Sequence, residues 1–149
     1  MELLTRLGED LKDAMRQQDV VRRTVLRSAL SDIHNEEIAQ QKSLTDEAVM
    51  GVIAKQVKQR RESIQEFKKG NRQDLVTKEE SELDVLLSYM PKQLEEEELI
   101  TIAKSVIEAV SAKGVQDKGL VMKSLMPEVK GKADGSLVNR VVTDLLESL

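Results

Sequence analysis

Apolar side chains recur along this chain at spacings of three and four residues, and the places where that rhythm breaks divide it into seven helices. Leu3, Leu4, Leu7, Leu11, Ala14 and Met15 mark one face of a first helix, which the polar run Gln17-Gln18-Asp19 interrupts. Asp19 is a good N-cap for a second helix, whose face is Val21, Val25, Leu26, Ala29, Leu30 and Ile33 through to about Gln41. Arg22 intrudes on that face near its open end. Leu44-Thr45 announces a third helix, with Thr45 as cap and Leu44 placed to staple onto Val49. It runs to Lys69 and stops at Gly70, a residue free to take the left-handed conformation that closes a helix. Asn71 then caps a fourth, with the stripe Leu75, Val76, Leu83, Leu86, Leu87 and Met90, ending before Pro91.

The third and fourth helices form an antiparallel hairpin with a charge on each apolar side. A rotation of about 100° per residue puts Arg60 in line with Ile53, Val57, Ile64 and Phe67, and Glu79 in line with Leu75, Leu83 and Leu86. Counted outward from Gly70, the two lie at nearly equal height, so an Arg60–Glu79 ion pair across the hairpin is expected. Its role is structural. An arginine does not deprotonate usefully in a protein, and its planar fork suits a carboxylate partner.

Pro91 forces the residue before it out of helix, and Glu95-Glu96-Glu97-Glu98 then meets the positive end of a fifth helix. Leu99, Ile100, Ala103, Val106, Ile107 and Val110 form its buried face, and Lys113-Gly114 ends it. A sixth helix opens at Asp117 with Val121, Met122, Leu125 and Met126, and a seventh begins near Gly135 with Leu137, Val138, Val141, Val142, Leu145 and Leu146. The reading is an N-terminal helical domain, residues 1–92, and a small three-helix domain, residues 93–149. A unit of about 55 residues is marginal alone, so it is expected to lean on the N-terminal bundle or on a partner.

Composition agrees with this division and narrows the chemistry. Charged residues make up 34% of the 149 and aromatics 1%, the profile of helices packed on helices, so the fold class is all-α. No apolar run is long enough for a membrane-spanning helix. The first residues already show helical periodicity and carry an early acid, unlike a signal or transit peptide, and a cytoplasmic protein is expected on that ground. With no cysteine and one histidine, His34, neither a disulfide framework nor a metal centre is expected, and no cofactor is implied. A net charge of −4 and a pI near 5.2 argue against a generic nucleic-acid binder. The average hides segregation: Lys55, Lys58, Arg60, Arg61, Lys68, Lys69 and Arg72 crowd one stretch, and acids dominate residues 74–98.

Several runs together carry a resemblance. Leu26-Arg27, Lys58-Gln59-Arg60-Arg61-Glu62-Ser63, Gly70-Asn71-Arg72-Gln73-Asp74-Leu75, Tyr89-Met90-Pro91-Lys92-Gln93-Leu94 and Val121-Met122-Lys123-Ser124-Leu125-Met126-Pro127, followed by Gly131-Lys132-Ala133-Asp134-Gly135, resemble the YqeY family over essentially the whole chain. From about Leu94 onward the chain also resembles the tail domain of the B subunit of the glutamine-dependent tRNA amidotransferase, a tail also appended to some glutaminyl-tRNA synthetases. The resemblance implies an all-helical two-domain fold and involvement with tRNA. A family label of carbon–nitrogen ligase with glutamine as donor does not make this chain an enzyme, because that chemistry lies outside the tail domain. One departure is Glu95, where the family often has serine, a better cap.

The residues themselves supply no cysteine nucleophile, no glycine-rich phosphate cradle after a strand and no metal-ligand spacing. His34 reads as a surface residue. Ser124 and Ser136 lie near lysines, but Ser–Lys catalysis needs a specific geometry that spacing alone does not establish. The functional candidate is the connector Gly131-Lys132-Ala133-Asp134-Gly135, where glycines admit close approach, the seventh helix offers free N–H groups, and Lys130 and Lys132 supply charge. The competing reading is a plain turn and cap flanked by solvated lysines. By analogy with the tail domain, Lys123, Lys130, Lys132 and Arg140, with Gly131 and Gly135, would hold RNA backbone by shape and charge. The scarcity of aromatics argues against base stacking. The possible partners are tRNA and, for an adaptor docking through the C-terminal domain, a tRNA synthetase or amidotransferase. The second basic stretch, Lys55, Lys58, Arg61, Lys68, Lys69 and Arg72, could extend an RNA-binding surface, but a solvated helix face is the preferred reading.

Overall fold

The computed structural model describes residues 2–149. It is all-α: among the described residues there are seven α-helices, one short 3-10 turn and no strand. The helices are α1 (Glu2–Arg16), α2 (Val20–Gln40), α3 (Asp46–Lys69), α4 (Gln73–Leu87), α5 (Glu96–Ala109), α6 (Lys118–Val129) and α7 (Gly135–Glu147), with the 3-10 turn Val115–Asp117 before α6. The chain divides into two compact units, Met1–Met90 and Pro91–Leu149.

The first unit packs α1 on α2 and α3 on α4, with α2 touching all the others. Its core is Leu7, Val25, Leu26, Ala29, Ile33, Leu44, Val49, Ile53, Val57, Leu86 and Tyr89. The starts of these helices are set by side chains that the sequence displays openly. Asp19 Oδ1 accepts from the Arg22 N–H at 3.1 Å, and Thr45 Oγ1 accepts from the Ala48 N–H at 3.2 Å. Leu44 and Val49 are both buried in the same core, as a staple across that cap requires. Arg22 is held by Asp13 of α1 at 3.3 Å. That contact explains how a base is tolerated beside the apolar face of α2.

The turn between α3 and α4 differs from the sequence expectation. Gly70 has φ −86°, and Asn71 is the left-handed residue, with φ 54°. The Arg72 N–H reaches the Phe67 carbonyl at 2.9 Å and the Asn71 N–H reaches that of Lys68 at 3.2 Å, so a Schellman closure is built one residue later than expected. Asn71 is thereby committed to ending α3. The N-cap of α4 is Arg72, which makes no capping bond and instead pairs with Asp74 at 3.0 Å. Gln18, Gln41 and Ser111 close their helices by the same pattern of bonds, each at positive φ. α4 also stops at Leu87, leaving Ser88 to Met90 in turns.

The second unit packs α5, α6 and α7 around Leu99, Ala103, Val106, Ile107, Val121, Leu125, Val129, Val138, Val141, Val142 and Leu146. Glu95 is the N-cap of α5, and the Glu98 carboxylate accepts the Glu95 N–H at 3.1 Å. The Glu95 side chain accepts in return from the Glu98 N–H, so the acidic run ties down the helix start with a reciprocal capping box. Asp117 Oδ2 accepts from the Lys113 N–H at 2.8 Å and so fastens the loop ahead of α6 rather than capping that helix with its side chain. No helix among the described residues is long and apolar enough to cross a membrane.

Candidate nucleic-acid interface

The connector between α6 and α7 is short and well tied. Gly131 has φ 78°, a conformation that a side chain resists. The Lys132 N–H bonds to the Val129 carbonyl at 2.9 Å, and the segment after Pro91 clamps the other side. Gln93 Nε2 donates to the Gly131 carbonyl at 2.8 Å, and the Leu94 N–H donates to that of Lys132, also at 2.8 Å. The loop backbone is therefore held from both sides, and it carries Lys130 and Lys132 on a fixed frame. Lys130 and Lys132 are exposed, as is Lys123 on α6.

Asp134 is the N-cap of α7, and its Oδ1 accepts from the Ser136 N–H at 3.3 Å. An outward carboxylate here would repel a phosphate; this one is turned into its own helix. Gly135 has ordinary helical backbone as the first residue of α7, and a Cβ added to it would meet no atom within 4 Å. Nothing in the fold requires glycine there. The first turn of α7 carries N–H groups that have no acceptor within the helix.

Arg140 departs from the grouping. It bonds Glu96 of α5 at 2.8 Å, with both side chains more than half exposed, so its charge is partly neutralised by the acidic helix start. Lys118, also nearby in sequence, donates to Asn139 Oδ1 at 2.7 Å. Lys123 on α6 and Lys130 and Lys132 in the connector ahead of α7 are thus exposed, and Arg140 is engaged with Glu96. The Lys55–Arg72 stretch is interleaved with acids: Lys69 meets Glu66 at 3.5 Å and Arg72 meets Asp74. His34 is exposed, and no group of three or more acids and histidines able to hold a metal occurs among the described residues.

In the first unit, Arg60 Nη1 donates to Glu79 at 3.1 Å and also to Glu82 of the next helical turn. Glu82 is buried, at 7% exposure, and sequence reading missed it because it lies at the edge of the stripe that Leu75, Leu83 and Leu86 define. Gln56, also 7% exposed, sends Nε2 to Asp32 of α2 at 2.6 Å. Tyr89 is buried with its hydroxyl donating to Asp10, under the Arg6 guanidinium at 4.7 Å from the ring centre. Burial, first, and the Asp10 carboxylate, second, push the Tyr89 phenol above its ordinary range.

Residues 4–146 match the family described as Yqey-like protein. The chain belongs to the YqeY family. Among curated relatives, "Altered inheritance of mitochondria protein 41, mitochondrial" of Pyrenophora tritici-repentis is 33% identical over 147 residues, covering 97% of this chain and 81% of the relative. The protein of the same name in Saccharomyces cerevisiae strain S288c is 35% identical over 130 residues, 85% of this chain and 70% of its own length. That of Lachancea thermotolerans is 43% identical over 91 residues, 60% of this chain and 49% of its own.

These names overturn the expectation of a cytoplasmic protein, since YqeY-family relatives this similar are named as mitochondrial. The error has a physical source. The periodicity from Leu3 to Met15 exists because α1 packs on α2, with Leu7 and Ala14 buried. A residue pattern dictated by packing reports on the fold and carries no address.

Proposed function

We propose that this YqeY-family chain is an accessory tRNA-binding module whose C-terminal unit holds RNA backbone by shape and charge, without catalysis of its own. One observation carries the reading. Lys130 and Lys132 are exposed in a loop whose backbone is fixed, Lys123 is exposed on the helix before it, and the Asp134 carboxylate at the start of the helix that follows is occupied as a cap. Fixed N–H groups and mobile ammonium groups are what a phosphate chain needs, and neither reads bases. The resemblance of this unit to the tail of the amidotransferase B subunit supports tRNA as the class of RNA. Arg140 contributes less than the lysines, because binding must first displace Glu96.

The test is binding of the purified chain to total tRNA across a salt series, with Lys130→Ala/Lys132→Ala alongside. Each phosphate contact removed lowers the slope of log affinity against log salt by about one unit. Gly135→Ala adds a second reading: the fold has room for the methyl group, so lost affinity without lost stability reports RNA lying against that backbone. Unchanged slopes in both variants would refute the proposal.

The alternative, a protein adaptor docking on a synthetase or amidotransferase, is favoured by a different feature of the same unit. An open groove of about 550 Å³ between α5 and α7 is floored by Ile107, Ala112, Leu145 and Leu149 and edged by Lys104 and Lys113. Capture of a synthetase or amidotransferase that survives nuclease treatment would select it.

A further inference from the structure

The run Lys58-Gln59-Arg60-Arg61-Glu62-Ser63, part of the resemblance to the YqeY family, lies in the N-terminal unit and plays no part in the RNA proposal. Three of its residues, Gln59, Arg60 and Ser63, line an open cavity of about 240 Å³ that α2, α3 and α4 enclose. Ser28 and Asp32 of α2, Gln56 of α3 and Glu79 of α4 complete it. A water takes roughly 30 Å³ of liquid, so the space holds a small organic molecule rather than one ordered solvent. A second open cavity adjoins it through the shared residues Asp32 and Gln59, and adds Glu36.

The walls present acceptors in excess. Arg60 faces two carboxylates, Glu79 and Glu82, so that cluster keeps a net negative charge. Asp32 adds another, and Glu36 beyond it is balanced by Lys55 in the adjoining space. Gln56 is the buried member of the lining, and its amide orientation is dictated by chemistry: an ionised Asp32 only accepts, so Nε2 must face it. That leaves Gln56 Oε1 buried without any protein donor. An unsatisfied buried acceptor is costly, and a donor arriving from the cavity relieves it. Ser28 Oγ and Ser63 Oγ add two further groups able to accept.

We propose that this cavity is a binding site for a small aliphatic diamine, with one ammonium held by Asp32 and supplying an N–H to Gln56, and the other held by Glu79. Asp32 on α2 and Glu79 on α4 line the same cavity from different helices, so a molecule with an amine at each end satisfies both. An anion is disfavoured, because the only guanidinium in the lining already serves two carboxylates.

The experiment is titration of the full chain with 1,4-diaminobutane at matched ionic strength, followed by calorimetry and by the side-chain amide resonances of ¹⁵N-glutamine-labelled protein. Asp32→Asn keeps an acceptor for Gln56 Nε2 and removes the charge, and should weaken binding about tenfold or more. Glu97→Gln removes an exposed carboxylate from the other unit and should leave affinity unchanged. Saturable binding that moves the Gln56 amide and is lost in Asp32→Asn alone is the expected result. Absence of binding, equal weakening in both variants, or preferential binding of inorganic phosphate would each overturn the proposal. The circular dichroism of each variant separates lost binding from lost fold.

Discussion

The two units have cores of similar size and opposite character. In the second, every buried residue is apolar, and charge is confined to the surface. In the first, Gln56 and Glu82 are buried among the aliphatics, Arg60 joins α3 to α4, and Tyr89 reaches back to Asp10 of α1. An apolar core constrains volume but tolerates sliding of one helix along another. A set of paired polar groups admits one register, because a slip of a turn leaves a carboxylate or a guanidinium without its partner. The long α3–α4 pair has the greater freedom to slip and carries the polar set. The short α5–α7 bundle is fixed by its loops.

The largest effect expected from testing this contrast is in the apolar unit. Leu125→Ala, at a site with no exposed surface, should cost about 3–4 kcal/mol in urea denaturation, enough to unfold a domain of this size. Arg60→Ala should cost the first unit about 2–3 kcal/mol, since it strands two carboxylates, one of them buried. If it costs no more than an exposed Arg→Ala change, the polar set does not fix the register.

Tyr89→Phe should cost about 1 kcal/mol, by leaving Asp10 without its donor. It also has a signature in pH. The folded phenol titrates above the ordinary value of 10.0, so the unfolded chain releases its proton first. The stability this lends the first unit is complete below pH 10 and declines as pH rises beyond it; the Phe variant lacks that part of the decline. The smallest effect is a gain. Asn71→Gly relieves a left-handed residue at a helix end and should stabilise the first unit by up to about 1 kcal/mol, read as a higher melting temperature.

Sequence reading succeeds where one residue's chemistry settles the matter. Asp19 and Thr45 cap the helices they precede because a short acceptor side chain before an apolar stripe has few other uses. Arg60 and Glu79 could be matched because both are counted from one turn. The choice between Gly70 and Asn71 went the other way: both tolerate the left-handed region, and the packing of α4 on α3 decides which adopts it. Asp32 and Gln56 lie on different helices with no counting rule between them, and their contact exists only once α2 is laid on α3. At the connector, the lysines were visible. The clamp from Gln93 and Leu94 was not, since it depends on how the chain enters α5.

Tyr89 is the one tyrosine of a chain without tryptophan, and it belongs wholly to the first unit. Its near-ultraviolet emission, quenched in the native state by the carboxylate it touches, therefore works as a built-in optical reporter for half of the molecule. The helical dichroism at 222 nm sums both halves. Recorded together during one denaturation, the two signals coincide only if the halves let go at the same point, and their separation measures directly how far each unit melts on its own.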